Sequence, residues 1–579
     1  EAALVEDAKD VPRDLQRALA EVVLAAAAAD ADWRATVAGL SEDQINWLYA
    51  TGALMAGNPN ALPLAEAAVA GTLQSFDLHA LVEGAVRLAF RVERAALPRF
   101  AGLRGFSFDQ KTPLGRIVLR DAGDDVYEDG DASGAILLLV DTGGADTYRR
   151  AVGAVGSETS PHHVAVAVDL AGKDTYGYEE VPSRYDGKRL PSDIDGRAPP
   201  QPNGNGPISL SDTPRQGAAR LGYGLLFDYG SDGDRYRSLR MSQGFGIAGV
   251  GALFDAGGDD VYEGEAAVQG GATFGVGLLL DAGGDDTYRT YTMSQGFAYV
   301  RGGGLLYDVA GADQYLADIG DPGVGGDPLY FTPQLAGKGN SSFVQGAGFG
   351  RRAPGDTGAG DRVFMSGGLG VLRDGGGDDR YTASVFGQAT GYWFGTGLLA
   401  DAAGNDRYDG KWYVQGSAAH AALSLFLDDA GDDRYNQTFP ASPPAATSIG
   451  VGHDYSVSWH IDGGGDDLYA APGLSLGSGH ANGMGILLNL GGSDTYKSPG
   501  EPTLGGATIG DADPIGARHT VPSCGLFLDV GGANTFDAGS STVTRGDGKT
   551  WTDDLQSMAD GYNDHGAGAQ RPTGAVSLP

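Results

Sequence analysis

The chain has 579 residues and a formal net charge of −35 at pH 7, with 75 acidic and 40 basic residues. This charge excludes nucleic acid, whose phosphates require a basic partner, and argues against binding to anionic lipid surfaces. The 97 glycines follow no collagen-like Gly-X-Y period, and together with 41% hydrophobic residues they indicate a folded protein with many tight turns.

Three further features concern the cellular compartment. The single cysteine, Cys524, excludes an internal disulfide framework. No stretch of about 18 consecutive apolar residues is present, so no transmembrane helix is expected. The sequence begins with Glu1 rather than Met, and we interpret this as an exported, trimmed protein that is secreted, periplasmic or attached to the cell surface.

Residues 1–110 contain no repeat and are predicted to form an α-helical domain. Two stretches rich in Ala, Leu and Val, 14–40 and 79–97, space their charges as amphipathic helices do. We expect this domain to cap the first turn of the repeat region that follows, because an open parallel sheet edge invites aggregation. Docking onto an assembly partner is the alternative role.

Residues 111–540 are built from a repeated acidic loop, of which DAGGDDTYR at 281–289 is a clear copy. In each copy an aspartate ends an apolar run (the first carboxylate position). A glycine follows three residues later, a second aspartate five residues later (the second carboxylate position) and an aromatic residue seven residues later. The first carboxylate position holds Asp141, Asp169, Asp255, Asp281, Asp308, Asp374, Asp401, Asp428, Asp462, Asn489 and Asp529. The second holds Asp146, Asp174, Asp260, Asp286, Asp313, Asp379, Asp406, Asp433, Asp467, Asp494 and Asn534. Two further copies, beginning at Asp121 and Asp228, are one residue out of step.

The spacing of these loops predicts the fold. Asp255, Asp281 and Asp308 are 26 and 27 residues apart, and a glutamine such as Gln269 lies between successive loops. The intervening apolar runs are too short for helices. We therefore predict a mainly β protein: a right-handed parallel β-solenoid of about 13 coils of ~27 residues, each with about three short strands, stacked at ~4.8 Å, preceded by the α-helical domain.

Stacking the loops brings like charges about 5 Å apart, which costs ~1 kcal/mol per neighbouring pair in water and more when the pair is partly buried. Protons, backbone hydrogen bonds or cations must relieve this repulsion. Calcium fits best, since it takes 6–8 oxygen ligands from carboxylates and carbonyls. Several calcium ions per chain are therefore predicted at the aspartates of both carboxylate positions. The alternative is that these aspartates only form turns, by accepting the N–H two residues on.

The acidic loop also resembles the haemolysin-type (RTX) repeat G-G-x-G-x-D-x-U-x. Gly284 matches its fourth position, Asp286 its sixth and Tyr288 its large apolar eighth. The resemblance implies calcium held between stacked repeats by aspartates and loop carbonyls, in an extracellular protein that folds on meeting calcium. The sequence departs from the family because its first two glycines are replaced and only about one nine-residue unit in three per ~27-residue period carries the motif. A three-sided coil with one acidic edge is therefore expected.

Insertions interrupt the repeat at 177–215, 316–366, 436–449 and 497–520. Each follows the aromatic residue of its loop, so all are expected to leave from one corner of the coil and to gather on one side. In repeat proteins such a loop face is often the binding surface. We predict that it meets a protein or a surface glycan.

Four histidines lie 8 to 10 residues before the first carboxylate position of their repeats: His420, His453, His480 and His519. In successive coils they are expected to form one column that binds zinc, copper or nickel or that serves in acid–base chemistry. A ladder of stacked polar rings without function is the alternative. The sequence contains no GxSxG, Walker or HExxH motif.

Residues 541–579 are predicted to form a polar C-terminal tail or cap. Because the acidic columns run along the whole repeat region, the sequence favours a calcium-binding structural or adhesive scaffold over an enzyme. A subunit of a larger surface or envelope assembly, docked through the helical N-terminus, is one alternative. A calcium-dependent polysaccharide lyase or hydrolase on a β-helix is the other, and it rests on fold-level analogy alone.

Overall fold

The structure is a computed structural model. It describes residues 6–55, 71–72, 74–128, 136–156, 163–177, 208–209, 211, 213–332, 335, 338–351, 365–436, 446–509, 521–538, 543–553 and 564–571. The described chain is mainly β, with long parallel sheets and a few helices near its N-terminus. The β class, the parallel pairing and the N-terminal helices predicted from the sequence are thus confirmed.

The described residues of the N-terminal region include the α-helices α1 (Arg13–Thr36), α2 (Glu42–Met55) and α3 (Leu78–Arg94), followed by a short 3-10 helix at Leu97–Phe100. Helix α3 begins where the Asp77 side chain accepts the Ala80 N–H at 3.0 Å, which satisfies one of the free amides of its first turn. None of the helices among the described residues is long and apolar enough to cross a bilayer.

The largest sheet has sixteen strands, and we call it the sixteen-stranded sheet. In spatial order its strands are Ser107–Thr112, Gly115–Arg120, Ile136–Asp141, Val164–Asp169, Tyr223–Asp228, Val250–Asp255, Val276–Asp281, Gly303–Asp308, Leu369–Arg373, Thr396–Asp401, Leu423–Asp428, Val457–Asp462, Met484–Asn489, Ser523–Val530, Asp564–Arg571 and Thr550–Thr552. The pairs at its two ends are antiparallel, and the pairs between them are parallel.

Two further sheets are made of shorter parallel strands. The thirteen-stranded sheet comprises Val126–Tyr127, Thr147–Tyr148, Thr175–Gly177, Arg235–Arg237, Val261–Glu263, Thr287–Thr290, Gln314–Ala317, Arg380–Thr382, Arg407–Asp409, Arg434–Tyr435, Leu468–Ala470, Thr495–Lys497 and Thr535–Asp537. The ten-stranded sheet comprises Ala219–Arg220, Gly246–Ile247, Ala272–Thr273, Ala298–Tyr299, Gly348–Phe349, Gly391–Tyr392, Ala418–Ala419, Gly452–His453, Gly479–His480 and Ala507–Thr508. Within the insertion 316–366 lie a 3-10 helix, Pro322–Val324, and the strand Ser341–Val344, which pairs with Val385–Gly387.

Each uninterrupted repeat contributes one strand to each of the three sheets in turn. Its strands pair in parallel with the equivalent strands of the next repeat, so that Asp281 lies beside Asp308 and Tyr288 beside Tyr315. The pairing of Tyr315 with Tyr381 holds across the insertion 316–366. Insertions therefore leave the columns of equivalent residues unbroken.

The interior between the sheets is narrow. Alternate residues of the sixteen-stranded sheet, such as Leu253, Leu279 and Leu306, pack against the tyrosine column of the thirteen-stranded sheet. Neighbouring tyrosine rings stack face to face, with centroids 4.8 Å apart for Tyr262 and Tyr288. One inward side chain, most often leucine, and one aromatic ring per repeat thus form the continuous core, to which stacking adds beyond area burial.

The N-terminal helices lie on the opposite face of the sixteen-stranded sheet. Buried residues of α1 and α3 form one cluster with Val164, Tyr223 and Val250 at outward positions of the early strands. A Cβ added to Gly84 of α3 would lie 2.3 Å from the Tyr223 hydroxyl oxygen, so only glycine permits this approach. The edge of the sixteen-stranded sheet is formed by the antiparallel hairpin 107–120. The last described N-terminal helix ends at Phe100, so the hairpin begins within the range 1–110 that was predicted to be helical.

The C-terminal region also contributes strands. Asp564–Arg571 continues the sixteen-stranded sheet in parallel, and Thr550–Thr552 pairs with it antiparallel. The segment predicted as a polar tail or cap therefore supplies the last two strands of this sheet. Most of the insertions 177–215 and 436–449, and the second half of 497–520, lie outside the described residues.

Candidate metal sites in the acidic loops

The acidic loop needs glycine where successive repeats come closest. Gly284 has φ +154°, and a Cβ on it would lie 1.6 Å from the carbonyl oxygen of Gly258 in the preceding repeat. No side chain can occupy that space without moving the backbone. The glycine at this position therefore sets the tight stacking of one loop on the next, which brings the carboxylates together.

The first carboxylate position is held by two kinds of hydrogen bond. In Asp281, Oδ1 accepts the Gly283 N–H at 3.0 Å, and Oδ2 accepts the hydroxyl of Tyr262 in the preceding repeat at 2.6 Å. Asp308 repeats the pattern with Tyr288 at 2.7 Å. The first of these bonds is the turn hydrogen bond that the turn-forming alternative predicts. The tyrosine column fixes the other oxygen.

The second carboxylate position leaves one oxygen without a donor. Asp286 Oδ1 accepts the backbone N–H of Asp260 at 2.6 Å, whereas Oδ2 is buried and has no hydrogen-bond partner. The same unpartnered Oδ2 recurs at Asp146, Asp174, Asp234, Asp260, Asp313, Asp379, Asp406, Asp433 and Asp467. A buried polar atom without a partner is costly, so its recurrence in repeat after repeat indicates a ligand or a proton.

The carboxylates meet in groups of three that can hold a metal ion. Each group offers three oxygens that all lie within 4.8 Å of one another, and each joins both carboxylates of one repeat to the second carboxylate of the repeat before it. The groups include Asp125–Asp141–Asp146, Asp146–Asp169–Asp174, Asp174–Asp228–Asp234, Asp234–Asp255–Asp260 and Asp260–Asp281–Asp286, with five more. Because successive groups share a residue, they form a continuous buried column.

Electrostatics makes this column unfavourable without a counter-ion. Burial, followed by repulsion from Asp281, raises the pKa of Asp286 to about 11. Burial and the charge of Asp281 likewise raise the pKa of Asp260 to about 8, and burial raises that of Asp313 to about 7. At neutral pH such carboxyls either retain protons or share a cation.

Two carbonyls of this loop region accept backbone hydrogen bonds. The Gly283 carbonyl accepts the Gly258 N–H at 2.9 Å, and the Asp260 carbonyl accepts the Thr287 N–H at 2.9 Å. Each of these oxygens keeps a second lone pair, and the groups of three add side-chain carboxylate oxygens as donors for a cation. Oxygen donors of this type suit calcium, magnesium or manganese.

Two repeats replace a carboxylate with an amide. Asn534 stands at the second carboxylate position and donates from Nδ2 to Asp529 Oδ1 at 3.0 Å. Asn489 stands at the first position and donates to the Tyr496 hydroxyl at 3.0 Å. At Asn534 the amide N–H thus occupies the place that a proton or cation must take between the two carboxylates of other repeats. Asn489 instead reverses the hydrogen bond between the tyrosine and the first carboxylate position.

Sequence reasoning missed three members of the column: Asp125, Asp228 and Asp234. They belong to the two copies that are one residue out of step. The structure pairs Tyr236 with Tyr262, so the loop after Asp228 accommodates an extra residue without shifting the strand. Alignment on the tyrosine rather than on the first aspartate would have found Asp234.

An outer row of carboxylates is solvent-exposed and has a different role. Asp259 Oδ1 accepts the Asp285 N–H at 3.1 Å, and Asp285 Oδ1 accepts the Ala312 N–H at 3.0 Å. These side chains complete the backbone hydrogen bonding of the next loop. They link neighbouring repeats, and so differ from the hydrogen bond to the N–H two residues on that the turn-forming alternative predicts.

The histidines are not all in one column. His453 and His480 are direct neighbours in the ten-stranded sheet. On its other side, His453 pairs with Ala419 and not with His420. His420 lies just after the end of its strand, in the left-handed region with φ +65°. His519 lies outside the described residues.

Comparison of the chain with protein-family models, with curated proteins and with solved structures found no match.

Proposed function

We propose that this protein is a calcium-loaded, right-handed parallel β-solenoid that acts as an extracellular or cell-surface scaffold. The observation that carries the proposal is the buried, unpartnered Oδ2 of the second carboxylate position, repeated along the chain within groups of three carboxylates. The three sheets, each receiving one strand per repeat in chain order, support the solenoid interpretation.

Calcium is preferred over other ions for chemical reasons. The groups contain only oxygen donors, which disfavours zinc and copper. Their carboxylates come from separate repeats, and flexible geometry with many oxygens suits calcium better than the rigid octahedron of magnesium. The RTX-like residues Gly284, Asp286 and Tyr288 support the same ion. Water or loop carbonyls would complete the coordination, since calcium takes both as ligands.

A scaffold accounts for the distribution of these groups better than an enzyme does. An active site concentrates unusual chemistry in one place, whereas the carboxylate column repeats the same chemistry along the chain. We place a protein or surface-glycan partner at the loop face formed by the insertions, in a secreted, periplasmic or surface protein. Docking of the helical N-terminus onto a larger assembly is the second candidate, and a polysaccharide lyase or hydrolase is the third.

The test is metal analysis combined with thermal unfolding. Protein dialysed against calcium is expected to retain several calcium ions per chain by elemental analysis. Its melting temperature should fall strongly in a calcium chelator and recover with calcium but not with magnesium. No retained metal together with an unchanged melt would contradict calcium binding and leave shared protons between the carboxyls as the explanation. Recovery of the melting temperature with magnesium but not with calcium would show that magnesium is the bound ion.

A further inference from the structure

A second group of ligating side chains lies outside the acidic loops, on the ten-stranded sheet. His453 and His480 occupy equivalent positions of consecutive repeats. Their rings are stacked, with centroids 4.8 Å apart and an interplanar angle of 15°. Their Nδ1 atoms face each other at 2.6 Å. Two imidazole nitrogens at this distance require a proton or another cation between them.

A histidine–carboxylate pair adjoins these two rings. His420 Nδ1 lies 2.6 Å from Asp454 Oδ2, and Asp454 directly follows His453 in the chain. The His420 and His453 ring centroids are 5.6 Å apart. A carboxylate that accepts one ring N–H fixes the tautomer and leaves the other nitrogen as a ligand, an arrangement that metal-binding histidines commonly have.

Aromatic rings line one side of this group. Trp393 stacks on His420 with centroids 3.9 Å apart, and Tyr392 contacts the same ring at 5.0 Å. The side chains of His420 and Asp454 remain 20% and 16% exposed. The group is thus held in place by packing while it stays accessible to an ion from solvent.

We propose that His453 and His480 bind a divalent transition metal, with His420 as a further ligand oriented by Asp454. Imidazole suits zinc, copper and nickel, whereas calcium prefers oxygen, so this site is chemically distinct from the acidic column and does not depend on it. Two zinc–nitrogen bonds of about 2.0–2.1 Å at a tetrahedral angle place the nitrogens roughly 3.3 Å apart. The two Nδ1 atoms reach that separation by rotation of the side chains.

The experiment is titration of the full chain with Zn²⁺ by calorimetry and with Cu²⁺ by electron paramagnetic resonance, in millimolar calcium. One ion per chain is expected, and the Cu²⁺ spectrum should show coupling to at least two nitrogens. His453→Gln and His480→Gln should each weaken binding about tenfold or more. His79→Gln is the matched control, because His79 is 85% exposed on α3.

Two results would overturn the site. One is a Cu²⁺ spectrum of the unmodified protein with oxygen ligands only, which needs no variant and so cannot be confused with misfolding. The other is Zn²⁺ affinity that is the same in the unmodified protein and in the two glutamine variants, with their circular dichroism unchanged.

The outer face of the sixteen-stranded sheet carries a second, separate feature, a run of apolar side chains over eight strands. From Val276–Asp281 to Ser523–Val530, eight consecutive strands alternate inward residues with apolar outward residues. The outward residues include Leu278, Leu280, Leu305, Leu369, Val371, Leu398, Leu423, Leu425, Leu427, Trp459, Ile461, Met484, Ile486, Leu488, Leu526 and Leu528. Leu369, Leu423, Leu526 and Met484 are 48%, 46%, 42% and 41% exposed. Contiguous apolar patches of this kind mark interaction surfaces.

The same face is covered at its N-terminal end by the chain's own helices. Outward residues there, such as Val164, Tyr223 and Val250, are buried in one cluster with α1 and α3. The open part continues this internal interface beyond the helices. Eight strands at ~4.8 Å by about 20 Å of strand length give roughly 770 Å², which two copies would double to a standard interface of about 1,500 Å².

We infer that this open face packs against the same face of a second copy, as an isologous dimer. Arg373 is the one cation at the outward positions of these strands, and it lies over the Tyr307 ring of its own chain, 4.9 Å from the centroid, so the face offers little to a charged partner. Each copy carries a net charge of −35, and added salt screens that repulsion while strengthening apolar burial.

Sedimentation velocity over a range of concentrations tests the dimer. A closed dimer that tightens with salt is expected, and Leu425→Lys or Ile486→Lys should give monomers with unchanged circular dichroism. Val86→Lys, at a helix position that is 62% exposed, should leave the dimer intact. A monomer at every salt concentration, or an open-ended series of oligomers, would overturn the inference.

Discussion

Asp286→Asn would place, in the middle of the acidic column, the side-chain amide that the chain already has at Asn534. There, the amide donates to the neighbouring carboxylate at 3.0 Å. Asparagine has the shape of a protonated carboxyl but needs no proton. Asp286→Asn therefore distinguishes a cation from a proton at this position, because the two explanations give opposite signs of the change in stability.

The magnitude follows from the pKa of Asp286, which burial and Asp281 raise to about 11, against about 3.9 in an unfolded chain. A raised folded-state pKa gives stability that is complete below the unfolded pKa and is lost as pH rises towards the folded pKa. At about 1.4 kcal/mol per pH unit, the cation-free protein has lost about 4 kcal/mol through this group by pH 7. Asp286→Asn removes this loss, and the value is an upper bound because Asp281 shares the proton.

In chelator at pH 7 the variant should therefore be more stable than the unmodified protein by up to about 4 kcal/mol, and the gain should vanish near pH 4. In calcium it should be less stable, because one ligand is lost from the group Asp260–Asp281–Asp286. Urea unfolding followed by circular dichroism in both solutions measures the two differences. Asp285→Asn is the control, since Asp285 lies in the same loop but is exposed. A change of the same sign in chelator and in calcium would refute cation binding in this loop.

Other substitutions and conditions test the rest of the structure. In chelator the melting temperature should fall as pH rises from about 4 to about 8, because the folded-state pKa values of Asp313, about 7, and Asp174, about 8, exceed the unfolded value of about 3.9. In calcium this fall should disappear, and its persistence there would argue for protons. Gly284→Ala should lower the free energy of unfolding by about 3 kcal/mol or more, because its Cβ would lie 1.6 Å from Gly258 O. Gly303→Ala is the control and should be tolerated in the same urea titration, because its Cβ would have Val276 Cγ2 as its nearest neighbour, at 4.0 Å. Tyr288→Phe should cost about 1–2 kcal/mol in unfolding free energy through loss of the bond to Asp308 Oδ2, and an unchanged value would show that the tyrosine column acts by stacking alone.

The repeat made much of the fold predictable. A fixed spacing of Asp281, Asp286 and Tyr288 in copy after copy means that equivalent residues pair when the copies stack in parallel, so each sequence column becomes a ladder of side chains. This holds across the insertion 316–366, because Tyr315 still pairs with Tyr381. The parallel strands, the stacked tyrosines and the gathering of carboxylates all follow from local spacing and required no knowledge of distant contacts.

What local spacing cannot encode is the direction of each side chain and which distant surface it meets. In the copy that begins at Asp228, the pairing of Tyr236 with Tyr262 sets the register. Counting from the first aspartate does not reveal this pairing, so Asp234 was missed. His420 leaves the histidine column because its strand ends one residue earlier, at Ala419.

The two carboxylate positions show the same division. The sequence by itself determined that aspartates recur twice per repeat, since their spacing is local. Only the tertiary structure decided their roles, because the partners belong to neighbouring repeats: a tyrosine hydroxyl holds Asp281, whereas Asp286 has a backbone amide for one oxygen and no donor for the other. The packing of the helices on the sheet face through Tyr223, rather than on its edge, was likewise decided by long-range contact between apolar surfaces far apart in the chain.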